Sequence, residues 1–146
     1  MGCDIHPVIE AGLYSVMWEA IAVPPRPRDY AFFGYLADVR NGVGEEPVEA
    51  HEGIPLDYSG RLYWDIVGFE TYDLYDPTPP RDWADRYLSG EHTPRWFTLE
   101  EAGGFHFPKD KYAKALWMRW LRYMRFIKQD YGVSEAEVRV VFDFDS

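Results

Sequence analysis

The last strand-like segment constrains the fold most, because its side chains alternate strictly between two faces. Over residues 137–144, valine or phenylalanine occupies every second position, and mostly charged residues stand between them. Such alternation predicts a β-strand with one buried face. Residues 3–9 and 13–23 also have strand-like patterns, and the turn Ala11-Gly12 between them predicts a hairpin. Strands at both ends, with helices between and no βαβ rhythm, predict an α+β fold with a mainly antiparallel sheet.

Capping residues mark the predicted helices in the middle of the chain. Asp29 is predicted to cap a helix over residues 30–40, and a capping box at residues 98–101 opens a second, short helix. The longest helix is predicted over residues 109–131, before a glycine. Weaker patterns predict a strand and a short helix, at residues 61–67 and 81–88. One long helix and several shorter ones are therefore expected to pack on the sheet.

Length and composition favour one well-packed domain. The 146 residues fit a single domain spanning residues 1–146, and 47% hydrophobic content excludes a disordered chain. Six Trp, eleven Tyr and nine Phe exceed what a core of this size needs, so some are expected at the surface or in a pocket. The single cysteine excludes an intramolecular disulfide framework and a zinc site made of thiolates alone.

The chain has neither a membrane-span pattern nor a signal-peptide pattern. No apolar run approaches the roughly 20 residues of a transmembrane helix. The N-terminus lacks a charged region followed by an apolar one. We therefore expect a cytoplasmic domain.

The charge is strongly asymmetric. Residues 109–128 hold seven cations and one acid, so this segment carries +6 and the rest −16 of the net −10. A net negative charge argues against general nucleic-acid affinity. The basic segment is expected either to steer a partner or to pack against the acidic remainder.

The opening stretch MGCDIH places two chemically useful side chains together. Asp4 and His6 are two residues apart, so on a strand they point to one face, while Cys3 and Ile5 point to the other. An acid beside an imidazole can bind a metal or transfer a proton. The alternative is a surface pair that only fastens the N-terminal strand. Cys3 is expected to pack as a small hydrophobic residue and not to act as a nucleophile.

Five stretches occur in an order that resembles a known family. They are GCDIH at 2–6, RDYAFFGYLADVRNG at 28–42, GIPLDYS at 53–59, EHTPRWFTLEE at 91–101 and VRVVFDFDS at 138–146. In this order the chain resembles small proteins of tailed-phage and prophage genomes. Those proteins open with GCDIH and carry motifs like RxYxLFxxLAxVRN, GLPxDxS and DxHSxSWL. The resemblance implies a phage-type accessory protein in the host cytoplasm, without implying an activity.

The resemblance also implies which residues share a site. Asp4 and His6 match the opening motif, Asp57 matches the acid of GLPxDxS, and His92 matches the histidine of DxHSxSWL. The chain departs from the family motifs at three positions: Gly90, Arg95 and Ser146. If the acid that Gly90 replaces is a ligand or base in relatives, the activity here is altered.

We expect a divalent-metal site that binds or hydrolyses a phosphate-containing ligand. The metal follows from these residues, and the phosphate from the aromatic surplus and the phage setting that the resemblance implies. Asp4, His6 and His92 form a ligand set suited to zinc, manganese or iron, leaving a position open for water. Metal-bound water can then hydrolyse the ligand. His92 is a third metal ligand or the general acid. Asp57 orients one of the metal ligands or itself binds the metal, and Asp145 is an alternative carboxylate. Without a metal, the same residues can act as an acid–base pair. The aromatic residues expected to wall a nucleotide are Tyr30, Trp64 and Trp96.

The segment WMRWLRYMRFIK, residues 117–128, has two interpretations. Basic residues interleaved with aromatic ones can stack bases and follow phosphates. The helical spacing favours an amphipathic core helix with a solvated basic face. The residues predicted to face the core are Leu116, Trp120, Tyr123, Ile127 and Tyr131.

Two acidic clusters support an alternative, non-enzymatic function. They are Glu45, Glu46, Glu49 and Glu52 in one loop and Asp73, Asp76, Asp82 and Asp85 in another. Acidic surfaces can block DNA-binding sites, so the alternative is an inhibitor of, or interaction module for, a host defence protein. The plainer interpretation is a pair of solvated loops.

Overall fold

The computed structural model of the chain describes residues 2–13, 17–55 and 91–145. The predicted strand at 61–67 and the predicted helix at 81–88 lie outside these residues. Of the helices that the structure describes, none is both long enough and apolar enough to cross a membrane.

Five antiparallel strands form one sheet in the described part of the chain. They are β1 (Asp4–Leu13), β2 (Met17–Ala22), β3 (His51–Glu52), β4 (Glu91–Thr98) and β5 (Val138–Asp145). Their order is β2-β1-β5-β4-β3, so the N-terminal hairpin lies directly beside the C-terminal strand. Pairing of β1 with β2 begins only at Ile9, and Pro7, which has no N–H to donate, lies before that point. The predicted α+β fold with a mainly antiparallel sheet is confirmed.

The helices begin at caps that the sequence marks. They are α1 (Tyr30–Ala37), α2 (Leu99–Ala102) and α3 (Lys111–Tyr131), followed by a 3-10 turn (Glu135–Glu137). Asp29 caps α1 by accepting the Phe32 N–H at 2.9 Å, and both bonds of the predicted capping box open α2. Helix α3 begins two residues later than predicted, because the Asp110 carboxylate accepts the N–H groups of Tyr112 and Ala113.

Helix α1 ends three residues earlier than predicted. Asp38 and Arg40 both adopt left-handed backbone, with φ of 59° and 52°, which ends the helix. The Asn41 side chain stabilises the turn: its Nδ2 donates to the Asp38 carboxylate at 2.8 Å and to the Glu45 carbonyl at 2.7 Å. A strained turn therefore follows α1, and it holds Arg40 in a fixed backbone conformation.

The hydrophobic core lies between one face of the sheet and helices α1 and α3. Aromatic rings fill much of it: Phe33 contacts Phe144 with centroids 5.1 Å apart, and Tyr35 contacts Trp117 at 5.3 Å. Cys3 is fully buried on this side, where its strand position predicts it. Much of the aromatic content is thus explained by the core.

The buried stripe of α3 differs from the predicted one. Its members are Ala113, Trp117, Trp120, Leu121, Met124 and Ile127. Tyr123 and Tyr131 remain 44% and 43% exposed, so their prediction as core residues is wrong. Tyr123 precedes Met124, which takes the core position, so helical spacing turns Tyr123 outward. Tyr131 follows Met124 by seven residues and shares its side of the helix, but it is exposed as the last residue of α3.

The face of the sheet opposite the helices also buries polar groups. Glu10 and Arg139 lie directly opposite each other on β1 and β5, with Arg139 Nε donating to Glu10 Oε1 at 2.7 Å. Their side chains are 0% and 2% exposed, and the Arg139 guanidinium lies 3.7 Å from the Trp18 ring centroid. The alternating sequence predicts that this face is polar but not that it is buried.

Candidate functional site at the end of the central strands

The centre of the candidate site is a histidine–carboxylate pair across β1 and β5. The register sets Asp4 opposite Asp145 and His6 opposite Asp143, so His6 reaches Asp145 diagonally. His6 Nε2 and Asp145 Oδ2 are 2.6 Å apart, and the two side chains are 31% and 38% exposed. The Asp4 N–H also donates to Asp145 Oδ1 at 3.3 Å. Asp145 is thus held by two bonds, and it orients the imidazole at a partly open surface.

The side-chain partner of Asp4 is Arg28 and not His6. Arg28 Nε and Nη2 donate to the two oxygens of Asp4 at 3.0 and 3.1 Å, a bidentate ion pair. This hydrogen bonding holds the pKa of Asp4 below its usual value and raises the pKa of Arg28. Asp4 and His6 share a face as predicted, but each has its own partner.

The proline-rich connector and Gly2 position Arg28. The carbonyl of Pro25 accepts the indole N–H of Trp120 at 2.7 Å, which anchors the connector to α3. A Cβ added at Gly2 would clash with the Arg28 guanidinium, so the glycine leaves room for it. The glycine before the opening motif therefore has a steric reason.

A second arginine and a tyrosine border the same end of the sheet. The Tyr30 hydroxyl accepts the Cys3 N–H at 3.2 Å, and the Arg40 guanidinium lies 5.9 Å from the Tyr30 ring centroid. Burial raises the pKa of the Cys3 thiol, an effect that the nearby Arg40 charge opposes. Because the thiol is buried and its pKa is raised, Cys3 does not have the character of a nucleophile.

The other predicted site residues are only partly described. The backbone pairs His92 of β4 with Phe144 of β5, near the end of the sheet that holds His6. Strand β4 lies two strands from β1, which at ordinary spacing is roughly 10 Å. The side chain of His92, and the whole of Asp57, lie outside the described part of the structure.

The structure describes two of the three aromatic residues predicted to wall a nucleotide, and these two have different neighbours. Tyr30 borders the site, as described above. Trp96 lies in register with Val141 and stacks on His51, with ring centroids 4.2 Å apart. Trp64 lies outside the described residues. Of the three, Tyr30 alone is placed beside Cys3 and Arg40 by the structure.

Among the residues that the structure describes, no group of three His, Cys, Asp or Glu side chains is arranged to hold a metal ion. Both oxygens of Asp4 are bonded to Arg28, and His6 Nε2 is bonded to Asp145. The described part of the predicted ligand set therefore has an arrangement suited to hydrogen bonding.

A second histidine–carboxylate pair was not anticipated from the sequence. His51 Nε2 lies 2.5 Å from Glu101 Oε2, and the same Glu101 completes the capping box of α2. No local sequence pattern predicts this pair, because β3 and α2 are distant in the chain. The pair provides a comparison for His6, since His51 also bonds a carboxylate but lies on β3.

One residue of the first acidic cluster is structural. Glu45 is 6% exposed, and its two carboxylate oxygens accept the N–H groups of Lys109 and Asp110 at 3.0 and 2.7 Å. Glu46, Glu49 and Glu52 are exposed. Three of the four glutamates in this cluster are therefore at the surface. The second acidic cluster lies outside the described residues.

No protein-family model matches the chain, and no curated protein and no solved structure does either.

Replacing Arg28 by alanine is expected to raise the pKa of Asp4 back toward the usual carboxyl range, because the largest cause of its lowered pKa is the Arg28 hydrogen bond. A carboxyl with a lowered folded pKa adds stability above its unfolded pKa, and this stability is lost as the pH falls through the folded pKa. NMR titration of the Asp4 carboxyl carbon measures the change. Arg26→Ala is the matched control. The Arg26 charge contributes least to the lowered pKa of Asp4, so its removal should change that pKa less. An unchanged Asp4 pKa in Arg28→Ala would contradict the prediction.

Proposed function

We propose that the chain binds a phosphate-containing ligand beside the His6–Asp145 pair and hydrolyses it. The observation that carries the proposal is the 2.6 Å contact between His6 Nε2 and Asp145 Oδ2 at a partly exposed surface. A histidine held by a carboxylate is an effective general base near neutral pH. The proposal does not require the family resemblance.

The tautomer of His6 supports a role as a base. With Nε2–H donating to Asp145, the lone pair of the imidazole lies on Nδ1. Within the described residues, no hydrogen bond involves this nitrogen. His6 Nδ1 takes a proton from water as the water oxygen bonds to phosphorus and the bond to the leaving oxygen breaks. The imidazolium then returns the proton to the leaving oxygen.

Arginine side chains at this end of the sheet support an anionic ligand. Arg28 uses Nε and Nη2 for Asp4, which leaves Nη1 donors for another acceptor. The charge of Arg26 acts on Asp4 and that of Arg40 on Cys3, so both arginines lie near the first residues of the chain, beside the carboxylates of Asp4 and Asp145. Guanidinium groups suit phosphate oxygens, since their donors match them in pairs.

Hydrolysis of chromogenic phosphate mono- and diesters by purified protein tests the proposal. We expect turnover by the wild type and its loss in Asp145→Asn, which removes the carboxylate that orients His6. Binding of the uncleaved ester, measured by calorimetry, separates binding from catalysis. Neither binding nor turnover of any phosphate ester would overturn the proposal.

A metal-dependent form of the proposal adds His92 and Asp57 to Asp4 and His6. In this form, Asp4, His6 and His92 would bind a divalent metal, and Asp57 would orient one of these three metal ligands. Elemental mass spectrometry of the purified wild type and His6→Ala distinguishes the two forms. Stoichiometric metal that is lost in His6→Ala favours the metal-dependent form, whereas turnover in metal-free protein favours the acid–base form.

The cellular setting is also a proposal. The motif resemblance supports a phage-type accessory protein acting in the host cytoplasm. The alternative function, inhibition of a host defence protein through acidic residues, is favoured by the exposure of Glu46, Glu49 and Glu52. Reversing these three charges would abolish partner binding under the alternative, and would leave ester hydrolysis unchanged under the main proposal.

A further inference from the structure

A groove of about 600 Å³ lies between β2 and α3, away from His6 and Asp145. Its apolar lining comes from both elements: Ile21 and Ala22 of β2, and Tyr123, Phe126, Ile127 and Tyr131 of α3. Arg122 and Asp130 also line the groove. Its size is in the range of pockets that bind small molecules or peptide side chains.

The aromatic residues of the groove are unusually exposed. Phe126 is 67% exposed, and Tyr123 and Tyr131 are 44% and 43% exposed. Exposed apolar side chains that cluster in a concave surface are typical of interaction sites, whereas scattered ones need no explanation. These three residues are grouped along one side of α3, so the groove is a candidate binding surface.

Exposed arginines lie beside the groove, which Arg122 and Asp130 both line. Arg119, Arg122 and Arg125 are exposed along α3. In the described parts of the chain, no ion pair involves any of the three, whereas Lys128 lies 3.5 Å from Glu135. Within these parts of the chain, the three guanidinium groups can therefore meet carboxylates of another molecule.

Strand β2 is an edge strand of the described sheet. It lies at one end of the strand order and, among the five described strands, pairs only with β1. Backbone N–H and C=O groups on such an edge can pair with an extended segment of another chain. This edge strand and the apolar groove therefore lie side by side.

We infer that this surface binds an extended acidic peptide segment of a partner protein, which adds as a strand to β2. Apolar side chains of the peptide enter the groove against Phe126 and Tyr123, and its carboxylates meet the α3 arginines. A second copy of this chain fits less well, because its α3 arginines would face the α3 arginines of the first copy. A nucleic acid fits less well too, because aliphatic side chains such as Ile21 and Ile127 make part of the lining.

Fluorescence anisotropy with a designed probe tests the inference. The probe is a short fluorescein-labelled peptide in which isoleucine and phenylalanine alternate with aspartate, and its control carries lysine in place of aspartate. We expect saturable binding of the acidic probe that weakens with salt, and at least tenfold weaker binding of the lysine probe.

Two matched variants locate the binding surface. Phe126→Asp should weaken binding of the acidic probe at least tenfold, since Phe126 lines the groove. Tyr112→Asp should leave it unchanged, because Tyr112 is 65% exposed on the same helix but does not line the groove. Both positions are exposed, so both variants are expected to fold, which circular dichroism checks.

Three results would overturn the inference. The first is no binding of the acidic probe, and the second is equal binding of the acidic and lysine probes. The third is a wild-type dimer in light scattering that Phe126→Asp converts to monomer, which would assign the groove to a second copy. Ester hydrolysis is expected to be the same in Phe126→Asp as in the wild type, so this test is independent of the His6 site.

Discussion

Replacing Glu10 by alanine is expected to destabilise the protein by about 3–5 kcal/mol, because it removes the carboxylate that the buried Arg139 guanidinium bonds. Both side chains are essentially inaccessible, at 0% and 2% exposed, and 2.7 Å separates the bonded atoms. The guanidinium also lies 5.6 Å from the Trp96 ring centroid, so it cannot reach solvent without disturbing that packing. Urea denaturation followed by circular dichroism measures the loss in free energy of unfolding.

A double variant separates the cost of removing one of the two charges from the value of the pair. Glu10→Leu combined with Arg139→Met replaces both charges by apolar groups and should recover much of the lost stability. Loss of less than about 1 kcal/mol in Glu10→Ala would contradict the prediction, because a burial-driven penalty would then be absent.

Replacing His6 by glutamine is expected to lower phosphate-ester hydrolysis by about 10²–10⁴-fold, because a positioned general base contributes rate enhancements of that size. Its side chain is 31% exposed, so the substitution should have little effect on stability. The measurement is kcat for a chromogenic ester, with unfolding monitored in parallel.

His51→Gln is the matched control for His6→Gln. His51 also bonds a carboxylate, Glu101, but on β3 and not at the His6 site. We expect unchanged kcat in His51→Gln. Equal loss of activity in both variants, or none in either, would contradict the role assigned to His6.

The fold could be predicted from sequence where the signals are local. The capping box of Thr98 and Glu101, the alternation of β5 and the glycine after α3 each depend on a few neighbouring residues. The sequence pattern misplaces Tyr123 because several stripes of α3 contain aromatic residues. It misplaces Tyr131 because the pattern does not show how far along α3 the core extends. Which stripe is buried depends on what α1 and the sheet present to it.

The site could be predicted only in part, because its contacts are distant in sequence. The strand period places Asp4 and His6 on one face, as observed. The prediction offers two alternative carboxylates, Asp57 and Asp145; the register of β1 with β5 places Asp145 in contact with His6, and Asp57 lies outside the described residues. The roles of Arg28 and Arg40 could not be predicted, since a connector fixed by tertiary contacts and a left-handed turn place them.

NMR of protein with 15N-labelled histidine, titrated with an uncleaved phosphate-ester analogue, is the decisive measurement for the His6–Asp145 site. The chain has four histidines, so the spectrum is simple, and His6→Gln assigns the relevant signals. We expect the His6 signals to shift saturably with ligand, and those of His51 and His106 to stay fixed. His6 signals that do not move at a concentration saturating by calorimetry, or that move no more than those of His51, would contradict ligand binding beside His6.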